Sequence, residues 1–244
     1  MLTSIIQLIT DPDTAYAAHS WDYIRLCLVS IALAIVIAVP LGIMLARQPF
    51  LAFIATNGSG LVRAIPSIVL LVFFTTAGIP GLGFNFASAA IALIALGIPP
   101  ILLNTIAGLR AVDPAAIDAG RGMGMTGWQV LSRIQIPLVL PVVAAGVRTA
   151  AVQIVATATI AGVFGVGGWG EYIYLGIFRG GDLAYILIGA VPVAILALMA
   201  ELGFGAIERA LTPPGVRVQS AALTRDQQRA IPRAPEVTPA RARA

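Results

Sequence analysis

Long apolar runs constrain the fold of this chain more than any other feature of its sequence. Five runs of about 20 residues or more carry little charge and lie at about 21–46, 51–78, 86–109, 137–162 and 182–211. An α-helix of about 20 apolar residues is long enough to cross the hydrocarbon core of a bilayer. The sequence therefore predicts an all-α, polytopic membrane protein with five transmembrane helices.

The composition supports a membrane protein. Hydrophobic residues make up 59% of the 244-residue chain and charged residues 11%, whereas soluble globular proteins contain roughly 45–50% apolar and about 25% charged residues. A soluble fold of this size could not cover its surface with so few charges, so the apolar excess must face something other than water. This excludes an ordinary cytosolic enzyme and a disordered protein.

Missing residue types exclude several kinds of chemistry. All 15 basic residues are arginine, so the chain has no lysine for a Walker A phosphate-binding loop or for a Schiff base. Cys27 is the only cysteine and His19 the only histidine. The chain therefore has no internal disulfide and no Cys/His metal cluster.

The distribution of arginine predicts how the chain crosses the membrane. Alternate connections place Arg25 and Arg179 on one side and a larger group on the other, namely Arg47, Arg110, Arg121, Arg133, Arg209 and the arginines of the C-terminal tail. Basic residues are enriched on the cytoplasmic side of membrane proteins. We therefore expect the N-terminus outside and the C-terminus in the cytoplasm.

Three regions follow from these patterns. Residues 1–18 are predicted to be an interfacial segment outside the membrane, because the apolar run 2–9 is short and lacks the basic residues of a signal peptide. Residues 19–211 form the transmembrane domain, in contact with membrane lipid. Residues 212–244 are rich in Pro, Arg and Ala and predict a disordered, basic cytoplasmic tail. The net charge of +4 comes from this tail, so the charge of the protein gives no reason to expect nucleic acid as a partner. Two interpretations of the tail stay open: attraction to anionic lipid, and a solvated tail without function.

The connection 112–137 is the segment most informative about function. It reads VDPAAIDAGRGMGMTGWQVLSRIQIP. Asp113 and Pro114 predict a helix start, with Asp as the N-cap and Pro at the first helical position, and a glycine-rich turn over 120–127 leads into a second helical stretch. A solvated loop would carry more charge, whereas small residues beside Met and Trp favour a surface that docks against another protein.

This loop resembles the EAA loop of ABC-importer permeases, whose pattern is E-A-A, three residues, G, nine residues, I-x-L-P. Here the pattern reads Asp118-Ala119-Gly120, then Gly124, then Ile134-Gln135-Ile136-Pro137, with every interval preserved. Asp replaces Glu, Gly replaces the second Ala and Ile replaces Leu. Gly120 should weaken the short helix by roughly 1 kcal/mol relative to Ala.

Further stretches resemble the osmoprotectant branch of these permeases, which imports glycine betaine, carnitine and choline. They are RAIPS at 63–67, PPILLNT at 99–105, AGRGMGM at 119–125, AGVRTA at 145–150 and GVGGWG at 165–170. The resemblance covers about residues 19–211.

The resemblance implies a type I ABC-importer permease in the bacterial plasma (inner) membrane. In such importers two permease chains, identical or related, form the pathway, and an extracytoplasmic solute-binding protein delivers the solute. Two cytoplasmic ATPase subunits hold ATP-Mg, so this chain is expected to be a transport subunit with no enzymatic activity and no cofactor of its own. The lack of lysine is consistent with ATP chemistry on another chain.

The resemblance also implies that this loop is a coupling helix held in a groove of the ATPase. Closure of the ATPase pair would then move the spans between two rigid-body states. The implied coupling residues are Asp118, Ala119, Gly120, Arg121, Met123, Gly124, Ile134 and Pro137.

We therefore interpret the chain as the permease subunit of an ATP-driven importer for a compatible solute such as glycine betaine, choline or carnitine. Three alternatives stay open: an ABC permease for another small solute such as an amino acid, an ATP-independent secondary transporter or channel, and a membrane scaffold that recruits a cytoplasmic partner. A secondary transporter would need a relay carboxylate deep in a span, whereas the acidic residues Asp22, Asp182, Glu201 and Glu208 lie near predicted helix ends.

Polar side chains in or near the spans are candidates for the pathway: Arg63, Pro66, Ser67, Asn104, Thr157 and Thr159. Hydrogen bonds between helices explain Asn104 and the threonines equally well. For Arg63 and Arg148, snorkelling to the interface and a structural ion pair both stay open.

The connection 162–182 supplies the outer-loop candidates Trp169, Glu171 and Tyr172. Aromatic faces attract quaternary ammonium groups and a carboxylate would add to that attraction, so a betaine site is one interpretation. An aromatic interfacial belt, with a docking surface for the solute-binding protein, is the interpretation that we favour.

Overall fold

The chain folds into helices joined by short turns. The computed structural model describes residues 2–10, 14–64, 67–76 and 85–212, and these contain no strand. The helices are α1 (Leu2–Thr10), α2 (Tyr16–Ala46), α3 (Pro49–Ala64), α4 (Ser67–Thr76), α5 (Phe86–Arg110), α6 (Pro114–Gly122), α7 (Gly127–Val130), α8 (Ile136–Val163), α9 (Trp169–Phe178) and α10 (Leu183–Leu211). A π-helical turn, Leu131–Gln135, joins α7 to α8.

Four helical segments are long and apolar enough to cross a membrane. They are Tyr16–Ala46, Phe86–Arg110, Gly127–Val163 and Leu183–Leu211. These segments correspond to four of the five predicted spans. The predicted fold class, an all-α protein with several spans, is confirmed.

The remaining predicted span, 51–78, does not form one long helix in the described residues. α3 has 16 residues and α4 has 10, so each is shorter than the roughly 20 residues of a straight crossing. α3 contains the polar sequence Asn57-Gly58-Ser59-Gly60. Pro66, one of the pathway candidates, lies between α3 and α4 and outside the described residues. By length alone the described residues therefore hold four spans, with α3 and α4 in place of the fifth.

Small residues let the central helices approach closely. Ala34, Ala38 and Gly42 recur every four residues on α2 and are buried. A Cβ built at Gly42 would lie 2.7 Å from Thr105 of α5, and one built at Gly97 of α5 would lie 3.1 Å from Ala34. Such contacts are typical of helix packing in lipid, where small side chains allow backbones to approach.

The bundle has two ends with different side chains. At the aromatic end, which we define by Tyr16, His19, Trp169 and Tyr172, the start of α2 meets α9 and the start of α10. At the loop end, α6 and α7 lie beside the end of α2, since Trp128 shares a groove with Met44 and Arg47.

Candidate functional site

The loop between α5 and α8 begins with a complete helix cap. Asp113 Oδ1 accepts a hydrogen bond from the backbone N–H of Ala115 at 2.8 Å. Pro114 occupies the first turn of α6, where the missing N–H costs nothing because that group has no helical partner. The predicted helix start is confirmed.

α6 ends in a Schellman motif built around Gly124. The N–H of Gly124 donates to the carbonyl of Arg121 at 2.9 Å, and the N–H of Met125 donates to the carbonyl of Gly120 at 3.1 Å, which is the hydrogen-bond pairing of this motif. Gly124 has φ = 81°, the left-handed conformation in which a side chain costs roughly 1–2 kcal/mol. No described atom lies within 4 Å of a Cβ built at Gly124, so the backbone conformation, and not crowding, favours glycine here.

A capping box starts α7 directly after this motif. Thr126 Oγ1 accepts from the N–H of Gln129 at 3.3 Å, and the N–H of Thr126 donates to Gln129 Oε1 at 2.7 Å. The polar groups of the turn are therefore satisfied within the loop itself. The hydrogen bonds of this turn join residues of the loop to one another.

The loop continues into α8 without a break. The N–H of Ile136 donates to the carbonyl of Leu131, five residues earlier, and Pro137, which has no N–H, lies in the first turn of α8. A proline cannot make the usual helical hydrogen bond, and this missing bond favours the π-helical turn just before it. α7, the π-helical turn and α8 thus form one helical segment, Gly127–Val163.

Gly120 is the point where α6 packs on the second half of the loop. A Cβ built at Gly120 would lie 2.6 Å from Ile134 Cδ1 and 3.4 Å from Met125 Sδ. The glycine that departs from the E-A-A pattern therefore allows a close approach between α6 and the π-helical turn. We expected it only to weaken the helix, and the packing role is a finding of the structure.

The other residues of the pattern divide between the inside and the outside of the loop. Ile134 is partly buried, whereas Ala119 and Pro137 are exposed. Asp118 and Arg121 keep 75% and 68% of their side chains exposed, 4.0 Å apart. Two large apolar side chains of the loop are also exposed, Met123 at 75% and Trp128 at 69%. We use the outer face of the loop for these four exposed side chains, two of opposite charge and two apolar.

The pathway candidates lie in several places. Ser67 begins α4, Thr157 is buried in α8, and Asn104 donates to the carbonyl of Pro100 in its own helix at 2.8 Å. The Thr159 hydroxyl lies 3.0 Å from the Tyr23 hydroxyl, a hydrogen bond between α8 and α2. Arg63 falls in α3, but its side chain, like the whole of Pro66, lies outside the described residues. The described candidates do not share one surface, and their role stays a prediction.

The outer-loop candidates Trp169 and Tyr172 are buried, and the interfacial belt that we favour stays a prediction. Trp169 is 7% exposed and Tyr172 is 2% exposed. Trp169 Nε1 donates to Ser20 Oγ at 2.8 Å, and the Tyr172 hydroxyl donates to the carbonyl of Thr14 at 2.7 Å. Burial raises the pKa of Tyr172 to about 12, and the neighbouring Glu171 carboxylate acts in the same direction. These rings hold α9 against the start of α2 and are not free to meet a partner.

Arg148 makes a structural ion pair, one of its two predicted interpretations. Its Nη1 lies 2.9 Å from Glu208 Oε2 and its Nε lies 3.4 Å from Glu201 Oε1, both on α10. A Cβ built at Gly205, which lies between the two carboxylates, would be 3.5 Å from Arg148 Nη1. Ten residues separate Glu201 from the end of α10, about 15 Å, and that end is the one that the sequence predicts.

The structure identifies candidate residues that the sequence does not single out. Arg179 and Tyr185 join Glu171 in the wall of a cleft at the aromatic end, and their spacing gives no sign of that meeting. The sequence shows that Glu201, Gly205 and Glu208 share one helical face, at intervals of four and three residues, but it does not identify Arg148 as their partner.

The sequence matches one family over most of its length. Residues 38–213 match the family described as "Binding-protein-dependent transport system inner membrane component". This region includes the whole loop and four of the long or interrupted spans.

Relatives and solved structures agree with that match. The chain is 41% identical to the carnitine transport permease protein OpuCB of Listeria monocytogenes, over 82% of this chain and 89% of that protein. It is 36% identical to the glycine betaine/carnitine/choline transport system permease protein OpuCB of Bacillus subtilis, over 80% and 88%, and 34% identical to the osmoprotectant import permease protein OsmW of Salmonella typhimurium, over 82% and 94%. In fold it is similar to a chain of the inward-facing MetNI methionine ABC transporter, with a TM-score of 0.73, 24% identity, and coverage of 84% of this chain and 100% of that chain.

Proposed function

Because the chain belongs to the family of binding-protein-dependent transport system inner membrane components, we propose that it is the permease subunit of an ATP-driven importer for a compatible solute. In this function it does no bond-making chemistry. ATP-Mg is bound and hydrolysed on a separate cytoplasmic subunit, and a second permease chain, identical or related, completes the pathway. A solute-binding protein delivers the solute from outside.

The outer face of the loop is the observation that carries this proposal. Met123 and Trp128 are large, apolar and exposed, while the backbone around them is closed by a Schellman motif and a capping box. A rigid turn with uncovered apolar side chains is suited to a groove on another protein. In this role Asp118 and Arg121 lie at the edge of the contact, and Ala119 offers a small surface between them.

The connection from the loop to the spans supports a mechanical role. The Gly127–Val163 segment is continuous, so displacement of α7 by a closing ATPase displaces α8 with it. α8 is linked to α10 by the contacts of Arg148 with Glu201 and Glu208. The two long helices therefore move together between the two states of alternating access.

The arginine distribution supports the orientation. Arg47, Arg110, Arg121 and Arg133 belong to the loop end, and Arg25 and Arg179 belong to the aromatic end. The loop end faces the cytoplasm on the positive-inside rule. The aromatic end then faces outside, in the plasma (inner) membrane of a bacterium.

The solute is a small molecule with a quaternary ammonium group. Two of the relatives named above carry carnitine, glycine betaine or choline in their names, and these three compounds share that group. An amino acid is the alternative solute.

Solute-stimulated ATP hydrolysis tests the proposal. The chain is reconstituted in liposomes with the ATPase, the permease and the binding protein encoded beside it, and glycine betaine is added outside. We expect the double variant Met123→Ser, Trp128→Ser to lower the stimulated rate at least tenfold, because it removes the apolar contact to the ATPase. Trp21→Ser is the matched control, since Trp21 is 65% exposed at the opposite end of α2.

Two outcomes would contradict the proposal. One is full stimulation in the double variant, which would show that the loop does not couple the subunits. The other is solute flux that persists without ATP and without any associated ATPase, which would support a secondary transporter.

A further inference from the structure

A cleft of about 300 Å³ opens at the aromatic end, between α2, α9 and α10. Its walls include His19, Glu171, Tyr172, Arg179 and Tyr185. Small-molecule sites have volumes of roughly 300–1,000 Å³, so the cleft is large enough for a small solute. The coupling loop lies at the other end of the bundle and does not use it.

The cleft has opposite charges at its two ends. Glu171 and Arg179 lie on one face of α9 and its C-cap, eight positions apart, which is about 12 Å along a helix. The Glu171 side chain is 34% exposed, and its nearest basic atom, His19 Nδ1, lies 3.6 Å away, beyond hydrogen-bond distance. Among the described residues no carboxylate lies within ion-pair distance of Arg179. A carboxylate and a guanidinium therefore face the same space without a strong partner.

Aromatic rings line the wall near the carboxylate. The rings of His19 and Tyr172 are 5.5 Å apart, and the hydrogen bond from Tyr172 to the carbonyl of Thr14 fixes the position of its ring. Because Tyr172 is only 2% exposed, it supports the wall, and the partly exposed His19 is the ring that a ligand beside Glu171 can contact. At the other end, the guanidinium of Arg179 lies 4.3 Å from the centre of the Tyr185 ring.

We propose that this cleft binds a small zwitterion that carries a quaternary ammonium group and a carboxylate. The ammonium group lies beside Glu171 and His19, and the carboxylate of the ligand accepts hydrogen bonds from Arg179. The site deepens the proposed function and rests on it for the choice of a quaternary ammonium, while the pairing of opposite charges comes from the geometry of the cleft.

Binding to the full chain in lipid nanodiscs tests the site, with calorimetry as the readout and three probes. The probes are glycine betaine, its carbon isostere 3,3-dimethylbutanoate, and choline. We expect Glu171→Gln and Arg179→Gln each to weaken glycine betaine binding at least tenfold. Choline lacks a carboxylate, so Glu171→Gln should weaken its binding and Arg179→Gln should not. The isostere lacks the positive charge and should bind at least tenfold more weakly than glycine betaine.

Arg25→Gln is the matched control. Arg25 also stacks on an aromatic ring, Phe86, at 5.1 Å, but it does not line the cleft. We expect it to change glycine betaine binding by less than twofold. The buried thiol of Cys27 reports correct folding of every variant, because a maleimide dye labels it only after unfolding.

The site is overturned by any of three results: no saturable binding of glycine betaine to the unaltered chain, an isostere that binds equally well, or equal losses in the Arg25 and Arg179 variants. These results leave the proposed function intact if the Met123, Trp128 double variant still uncouples ATP hydrolysis. Conversely, cleft binding together with a loop variant that keeps full stimulation would overturn the proposed function alone.

Discussion

The two ends of the bundle use their large side chains in opposite ways. At the loop end Met123 and Trp128 are exposed, and the hydrogen bonds that shape the loop stay within it. At the aromatic end Trp169 and Tyr172 are buried, and their polar atoms bond to the start of α2 and to Thr14 before it. One end is complete as a local fold and offers apolar surface, whereas the other depends on contacts between distant parts of the chain.

This difference predicts how each end responds to change. Changes at the aromatic end should lower the stability of the whole bundle, because its side chains belong to the buried core. Changes at the loop end should alter coupling to a partner and leave the bundle folded. Cys27 is buried and is the only cysteine, so its labelling by a maleimide dye on heating measures the stability of the bundle directly.

Gly170→Ala should have the largest effect. A Cβ at Gly170 would overlap the backbone carbonyl of Thr159, and neither backbone can move without separating α9 from α8. We expect a loss of about 3 kcal/mol in the free energy of unfolding, at the upper end of the usual cost of overpacking, measured by the temperature at which Cys27 becomes labelled.

Gly203→Ala is the control for this prediction. Gly203 lies in α10 and no described atom is within 4 Å of a Cβ built there, so alanine should stabilise the helix by up to about 1 kcal/mol. Equal labelling temperatures for the two variants would show that α9 is not packed against α8 as described.

The ion pairs of Arg148 join the helix that carries the loop to the helix that begins at the aromatic end. Arg148 and Glu208 keep 36% and 28% of their side chains exposed, so their interaction is only partly shielded from screening. We expect Arg148→Gln and Glu208→Gln each to lower the free energy of unfolding by about 2 kcal/mol, a usual loss for a charged hydrogen bond.

A double-mutant cycle separates the pair from other effects of each change. If the pair is real, the double variant should lose clearly less than the sum of the single losses. Additive losses would mean that the two side chains act independently.

Gly124→Ala should change coupling more than stability. Alanine at φ = 81° costs roughly 1–2 kcal/mol and opens the Schellman motif, which shifts Met123 and Trp128 relative to each other. Solute-stimulated ATP hydrolysis should fall severalfold, while the labelling temperature of Cys27 stays within about 2 °C, since the loop makes few contacts with the core.

Gly122→Ala is its control, because Gly122 also has open space around it but has no left-handed conformation. A Gly122 variant that uncouples as strongly as the Gly124 variant would argue against the backbone explanation.

How far the sequence predicts the structure also differs between the two ends. At the loop end the N-cap Asp113 and the terminal Gly124 have local signatures, because a helix cap is determined by a few consecutive residues. At the aromatic end the burial of Trp169 and Tyr172 has no such signature. α9 is short and glycine-rich and packs against both α8 and α10, so it shows no polar face from which an exposed side could be read.

Contacts between distant helices are the second feature that the sequence does not predict. The sequence marks Arg148 as unusual within a span, yet its partners Glu201 and Glu208 lie more than 50 positions away, and only tertiary structure brings them together.

The smallest effect is expected at Gly120, where two opposing terms nearly cancel. Alanine should gain up to about 1 kcal/mol in helix propensity, but its Cβ would lie 2.6 Å from Ile134 Cδ1. That atom is the end of a flexible side chain, so a change of rotamer can relieve the overlap at a cost of order 0.5–1.5 kcal/mol. Gly120→Ala alone should therefore change the stimulated ATPase rate less than twofold. In an Ile134→Val background, which removes the Cδ1 atom, the same substitution should be favourable. Hydrogen exchange at the Met125 amide measures this effect, because that amide donates to the carbonyl of Gly120 and so reports the stability of the turn. If Gly120→Ala changed the protection of the Met125 amide equally with Ile134 and with Val at position 134, α6 would not rest on the π-helical turn. The loop end would then be less rigid than its hydrogen bonds indicate.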